Sequence, residues 1–290
     1  MISSKPIFVV SDLHIGNGSS LDQFQRAGAE PLFLQFLDYV SNQEGRLIIA
    51  GDLLELWRFP VTEVVDYRFR LLDRLSQVNP VYIPGNHDAG IAHTHQSRLH
   101  PLFQHIQSPF TAVIGDRRFR FMHGHEQDPF IKNRLYRRTL PGCLSSAFSL
   151  KDKMCRRTGD TIPDLVLEGS EYLLSLYHGL RRDPRHRIHP ALRRNRKQYQ
   201  RRSGYSVRTQ KMLSRYHHDK DNSSYDVAVV GHSHRVGQYN NWYFNSGCWI
   251  GATHSFLKIW PDGHVEVFDW DQRIPRSNKT RVWNGSADRN

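Results

Sequence analysis

Cysteine is scarce. The 290 residues hold three, Cys143, Cys155 and Cys248, an odd number without metal-ligand spacing. They read as buried or free thiols rather than as a disulfide framework. Long apolar runs are missing too: no segment approaches the roughly 18 apolar residues needed to span a bilayer. Met1 to Pro6 lack the apolar stretch of a secretory signal. The expected location is the cytoplasm, with at most a peripheral hold on the inner membrane. Acidic residues are outnumbered, 28 against 40 Lys and Arg, for a net charge of +12. Such a surface attracts anions: nucleic acid, anionic lipid or a phosphorylated small molecule. Apolar residues make up 38% of the chain, enough for a core, so a disordered chain is excluded.

Short apolar runs ending in polar residues recur along the chain. Residues 6–12, 46–52, 80–88, 117–123 and 225–231 read as strands. Helical spacing falls between the first three, over 31–40 and around 61–78. This alternation predicts βαβ units and a mainly parallel sheet. Residues 253–260 and 264–270 alternate about Pro261-Asp262-Gly263 and predict a hairpin. Residues 126–222 break the pattern and read as a basic helical insertion or cap. Leu165, Tyr172, Leu173, Leu176, Tyr177 and Leu180 share one helical face there, and 181–202 holds ten Lys and Arg against Asp183. The expected organisation is a core of 1–125 and 223–272, an insertion of 126–222, and a polar, frayed tail of 273–290.

Each of the five strand runs ends in metal-ligand residue types: Asp12-Leu13-His14, Gly51-Asp52, Gly85-Asn86-His87-Asp88, His123-Gly124-His125 and Gly231-His232-Ser233-His234. Sites of open α/β sheets lie at the carboxyl ends of strands, so five ends can converge. Singly, each motif is an ordinary loop or turn. In order, at five successive strand ends, they point to a site for divalent metal, since imidazole suits Zn and Fe while carboxylate suits Mn and Mg. Asp52, standing alone between the outer pairs, is the natural bridge between two ions.

This ordered set resembles the calcineurin-like metallophosphoesterase superfamily. The resemblance implies a four-layer α/β/β/α sandwich with a helical cap insertion and two divalent metal ions, Mn²⁺ first among Mn, Fe, Zn and Mg. It implies that Asp12, His14, Asp52 and His234 take one ion, and Asp52, Asn86, His123 and His232 the other. Two such ions lower the pKa of water towards about 7 and clamp phosphoryl oxygens. His87 resembles the family's site histidine, which stabilises the transition state or protonates the leaving oxygen. Asp88 either orients His87 through its ring N–H or serves the turn.

A narrower likeness runs through Gly51-Asp52-Leu53-Leu54-Glu55-Leu56-Trp57, Ser11-Asp12-Leu13-His14 and Met122-His123-Gly124. It is similar to the UDP-2,3-diacylglucosamine diphosphatases of lipid A biosynthesis, which also carry a helical cap before the last motif. The likeness implies a nucleotide-linked lipid diphosphate as substrate, UMP as a product and contact with anionic membrane. Substrate contacts are expected from Asn86, His125, Glu55 and Trp57; Trp57 either lines the cleft or packs in the core. Two positions depart from that group: His87 replaces its usual Arg and His125 its usual Asp. The alternatives are a nuclease or nucleotide phosphodiesterase gripping a phosphate backbone through the basic cap, and a non-catalytic phospholigand-binding module.

Overall fold

The run Ile-Phe-Val-Val is rich in residues that fit a pleated surface, and it forms strand β1 (Ile7–Val10), buried along its whole length. Its side chains alternate between two cores, Phe8 and Val10 in one, Ile7 and Val9 in the other. Strands β2 (Arg46–Ala50) and β3 (Val81–Ile83) repeat this: Leu47, Ile49 and Tyr82 face one way, Ile48, Ala50, Val81 and Ile83 the other. A strand covered on both faces must be apolar throughout, which is why these runs stand out in the sequence.

The computed structural model describes residues 5–92, 98–128, 207–222, 225–250, 254–271, 274–277 and 282–283. The apolar face expected at 165–180, the basic run 181–202, Cys143 and Cys155 lie outside the described residues. The chain divides into two compact units, Met1–His125 with Asn222–Asn290, and Glu126–Asp221.

The first unit holds α1 (Gln23–Arg26), α2 (Ala29–Asn42) and α3 (Val61–Gln77), then β4 (Phe110–Ile114) and β5 (Arg117–Phe121). After helix α4 (Val207–Asn222) come β6 (Val227–Val230), β7 (Gly237–Tyr239), β8 (Tyr243–Asn245), β9 (His254–Ile259), β10 (Val265–Asp271), β11 (Ile274–Ser277) and β12 (Val282–Trp283). The strands form two six-stranded sheets, ordered β11-β10-β9-β1-β2-β3 and β12-β7-β8-β6-β5-β4. The inner faces meet in a core that includes Val9, Ile48, Phe119, Phe121, Val229 and Leu257. The outer face of the first sheet packs on α1, α2 and α3 through Phe24, Phe33, Phe36, Leu72 and Leu75. Two sheets flanked by helices are thus the α/β arrangement that the sequence implied.

Two expectations are corrected. The sheets are mixed rather than mainly parallel: β1, β2 and β3 run parallel, as do β5, β6 and β8, but β9, β10 and β11 return antiparallel. Antiparallel pairing needs only a short turn, and the β9–β10 hairpin supplies it. The segment from 273, expected as a frayed tail, instead carries β11 on the edge of β10 and β12 parallel to β7. Ladder bonds come from the backbone, so a polar segment can pair without an apolar signature.

In the second unit, Arg215 Nη1 on α4 donates to the Gln127 carbonyl (3.0 Å), and the Gln127 amide donates to Asp219. No helix of the described residues is long and apolar enough to cross a membrane.

Candidate metal centre

The chain segments leaving β1 and β2 run side by side. Asp12 N donates to Gly51 O (3.0 Å), His14 N to Asp52 O (3.0 Å), Ile15 N to Leu53 O (2.9 Å) and Glu55 N to Ile15 O (3.0 Å). The backbone there is strained. Among the described residues with left-handed φ other than glycine are Asp12 (53°), His14 (47°), Asp52 (51°), His232 (68°) and His234 (55°). Such conformations cost about 1–3 kcal/mol each and persist where the surroundings impose them. They fall on residues expected from sequence to bind metal.

Two clusters of expected ligands result, Asp12-His14-His234 and Asp52-His123-His232, with a third, His14-Glu55-His87, beside them, each with its atoms within 4.8 Å of one another. In the first, His234 Nε2 lies 3.2 Å from Asp12 Oδ1 and 3.2 Å from His14 Nε2. In the second, His123 Nε2 lies 3.1 Å from Asp52 Oδ2 and 3.2 Å from Asn86 Oδ1. Asp52 Oδ2 is also 3.8 Å from His14 Nε2, so this one oxygen faces both clusters. Second bonds commit the Nδ1 atoms of these rings: His123 Nδ1 donates to the Ala50 carbonyl (2.9 Å), and His14 Nδ1 meets Glu55 Oε2 (3.1 Å). With Nδ1 committed as donor, Nε2 is the lone pair left for a metal.

The remaining carboxylate oxygens are placed by the loops. Asp12 Oδ2 accepts from Ser11 Oγ (2.5 Å) and His232 N (2.9 Å), and Asp52 Oδ1 from His87 N (2.8 Å). Asp12 Oδ1 is buried, faces His234 Nε2 at 3.2 Å and His14 Nε2 at 3.9 Å, and has no well-aligned hydrogen bond. A buried anionic oxygen left among imidazole nitrogens calls for a cation.

The electrostatics agree. Burial opposes charge on His123, but Asp52, with Asp12 and the Ala50 carbonyl, pushes its imidazole up to about 10. Burial likewise opposes charge on His14, and Asp12, Glu55 and Asp52 raise it well above the ordinary value. Burial would raise the Asp12 and Asp52 carboxyls; the facing histidines outweigh it and hold both well below the usual range. Protons on His14 and His123 thus balance the facing carboxylates, a charge that a divalent ion would supply in their place. The His/Asp clusters fit a dinuclear metal site of nitrogen and oxygen ligands.

The structure also redistributes the other expected roles. Asp88 does not orient His87. It is fully buried and accepts from Leu53 N (2.7 Å), Leu54 N (3.2 Å), Gly85 N (2.6 Å) and Tyr82 Oη (2.5 Å). Burial and the neighbouring Asp52 charge push its carboxyl up. The orienting carboxylate is Glu55, expected at the substrate but buried, with oxygens 2.9 and 3.0 Å from His87 Nδ1. Three residues later than Asp52, it leaves the extended segment on the side of the imidazoles. Trp57 stacks on His87, and the His125 ring lies 5.4 Å from that of His123.

Sequence reading missed Ser246 and Asn245. Ser246 Oγ donates to Ser11 Oγ (2.8 Å), and Asn245 Nδ2 to the Gly231 carbonyl (2.6 Å), so both support the ligand loops. The available signal was Asn245-Ser246-Gly247 after an apolar pair, a sixth polar strand end of the same kind.

Solved structures similar to the chain include vacuolar protein sorting 29 from Cryptosporidium parvum, 12% identical, covering 94% of this chain and 95% of that one with a TM-score of 0.43. A conserved predicted phosphoesterase from Streptococcus pneumoniae is 11% identical, with coverage of 94% and 97% and a TM-score of 0.37. Likenesses this weak add nothing to the reading of the site. No curated protein matches the chain. Residues 5–257 match the family described as calcineurin-like phosphoesterase. That span holds every ligand-type side chain just described, and the chain belongs to this family and is a metal-dependent phosphoesterase.

Proposed function

We propose that the chain hydrolyses the diphosphate of a nucleotide-linked lipid in the manner of a UDP-2,3-diacylglucosamine diphosphatase, releasing UMP and a lipid phosphate. Asp12, His14, Asp52 and His234 would hold one ion, and Asp52, Asn86, His123 and His232 the other. Divalent ions there supply an acidified water and neutralise phosphoryl oxygens. Asp52, shared by both sets, would serve both ions, and His87 is the acid. As the bond from phosphorus to the leaving oxygen breaks, that oxygen takes the proton from His87 Nε2. The oxygen of the attacking water joins phosphorus, its proton leaves to solvent, and His87 is reprotonated from solvent.

The observation that carries the hydrolytic reading is the placement of His87. Its Nδ1 is held by Glu55, and its Nε2 lies 4.0 Å from Asp52 Oδ2, beside the space between the two clusters. A proton donor beside the position of the scissile bond assists departure of the leaving oxygen, the more so the more basic that oxygen is. The substrate class rests on the Gly51–Trp57 motif together with the basic segment 181–202, which suits an anionic membrane or an anionic substrate.

A nuclease is the second reading, favoured by His87 itself, which stands where the lipid diphosphatases carry Arg. The deciding experiment incubates the chain with UDP-2,3-diacylglucosamine and Mn²⁺, beside single- and double-stranded DNA, with and without EDTA. EDTA-sensitive release of UMP with intact DNA is the expected result. DNA cleavage with untouched lipid substrate would overturn the lipid reading, and no metal-dependent turnover of any phosphoester would turn the chain into a binding module.

A further inference from the structure

Trp57 lies flat on His87. The ring centroids are 3.8 Å apart and the planes 18° from parallel. The indole is itself anchored: its Nε1–H donates to the carbonyl of Asn86 (2.8 Å), the residue immediately before His87. Around the same imidazole, Glu55 holds Nδ1 from one edge and His14 packs perpendicular to it, with centroids 4.5 Å apart at 89°.

We infer that Trp57 is a positioning residue for the leaving-group proton transfer, setting the plane of the His87 ring so that Nε2 meets the departing oxygen.

The physical reason lies in what a hydrogen bond leaves free. Glu55 fixes where Nδ1 is, but a single Nδ1–H bond lets the ring swing about its own axis. A swing of the plane moves Nε2 across the reacting centre, and a misplacement of about 1 Å costs roughly 10²-fold in rate. A flat aromatic surface at contact distance removes that freedom, since tilting the imidazole would drive it into the indole. The Nε1–Asn86 bond ties the surface to the same loop, so ring and platform move together. With one face covered and Nδ1 bound, the His87 side chain is only 13% exposed, and Nε2 is left to do the chemistry. This assigns Trp57 a role different from a substrate platform, which would act on binding, and from a core residue, which would act on stability.

The inference rests on the reading of His87 as the acid, and the test separates the two. The manganese-loaded full chain is assayed on bis(p-nitrophenyl) phosphate, whose leaving group departs without help, and on diphenyl phosphate, whose leaving group needs a proton. Trp57→Leu should lower kcat on diphenyl phosphate by about 100-fold, the scale of general acid catalysis. On the p-nitrophenyl ester the loss should be only a few-fold, with KM and bound manganese unchanged. Trp57→Phe, which keeps the face and loses the bond to Asn86, should recover most of the rate, and it keeps the test open if the leucine variant does not fold. In a His87→Ala background, Trp57→Leu should add no further loss, because coupled groups are not additive. Equal losses on both esters, a rise in KM alone, or an additive loss in that background would overturn the inference. If His87→Ala itself slows both esters equally, the acid role of His87 fails first, and the role of Trp57 with it.

Discussion

Nδ1 of His87 and the carboxylate of Glu55 are 2.9 and 3.0 Å apart through the two oxygens, and one of those oxygens is also 3.1 Å from Nδ1 of His14. One buried side chain thus faces Nδ1 of both a proposed metal-ligand histidine and the proposed acid. Burial would raise the Glu55 carboxyl, but His14 and His87 outweigh it and hold it well below the usual range, so it stays an acceptor. Glu55→Gln keeps the shape but replaces one acceptor oxygen with a donor that faces an N–H. Outer partners of metal ligands are typically worth 10–100-fold in activity or metal affinity. Glu55→Gln should lower kcat by about that factor while the protein stays folded, read from steady-state kinetics beside metal analysis. Wild-type turnover would remove Glu55 from the machinery.

Asp88 is expected to act on stability first. It gathers three backbone N–H groups and the Tyr82 hydroxyl at a fully buried point. Asp88→Ala strands all four donors, and each unsatisfied buried group costs about 1–3 kcal/mol. The predicted loss is at least about 4 kcal/mol, measured by urea unfolding. Tyr82→Phe removes only one donor and should cost about 1 kcal/mol. Equal, small effects would mean that the buried carboxylate does not organise the loop.

Gly85 offers a sharper test of the metal centre. A Cβ there would sit 2.1 Å from Asp52 Oδ1 and 2.6 Å from Asp52 N. Backbone cannot yield as a flexible side chain can, so Gly85→Ala must displace the proposed bridging residue. The expected outcome is loss of bound metal and of turnover. Gly28→Ala is the control: its φ is +62° but a Cβ meets nothing within 4 Å. It should cost about 1–2 kcal/mol of conformational strain and leave metal content alone. Metal analysis of both variants decides the matter, and a fully loaded Gly85→Ala would refute the placement of Asp52.

Much of this was legible in the sequence because four central strands are buried on both faces and a fifth, Arg117–Phe121, buries alternate residues. Ile7–Val10, Arg46–Ala50, Val81–Ile83, Arg117–Phe121 and Val227–Val230 all fall inside runs read as strands. Helices Ala29–Asn42 and Val61–Gln77 follow the apolar spacing expected of them. Strands such as Gly237–Tyr239, paired through backbone with few apolar side chains, carry no comparable signal. Arg68 was equally hidden. A helix position with an arginine reads as solvent-facing, yet Arg68 is 2% exposed and bonds to Asp22 (2.7 Å), Gln25 (2.8 Å), Glu30 and the Gly16 carbonyl (3.2 Å). Only the fold brings those partners together. In the site, residue types announced the clusters of ligand-type side chains, whereas the division of labour between Glu55 and Asp88 depended on which side each loop faced.

The final prediction concerns pH. In the metal-free protein His123 is raised from 6.5 to about 10. A raised histidine stabilises the fold fully below its unfolded value and loses that contribution as pH climbs through its folded value. His14 is shifted the same way. Asp12 and Asp52 are depressed, so their contribution is present above the ordinary carboxylate value and is lost only as pH falls well below it. Between pH 6.5 and about 10 the histidines therefore decide the slope. In EDTA the thermal midpoint should fall steadily across that window. Saturating Mn²⁺ should flatten the profile, because the ion replaces the protons between the carboxylates, and metal affinity should rise with pH as fewer protons have to be displaced. His123→Asn has no such proton to lose, so its metal-free profile should be flatter than that of the natural chain. Parallel profiles for the two proteins in EDTA would show that the charge between the clusters is not carried by His123.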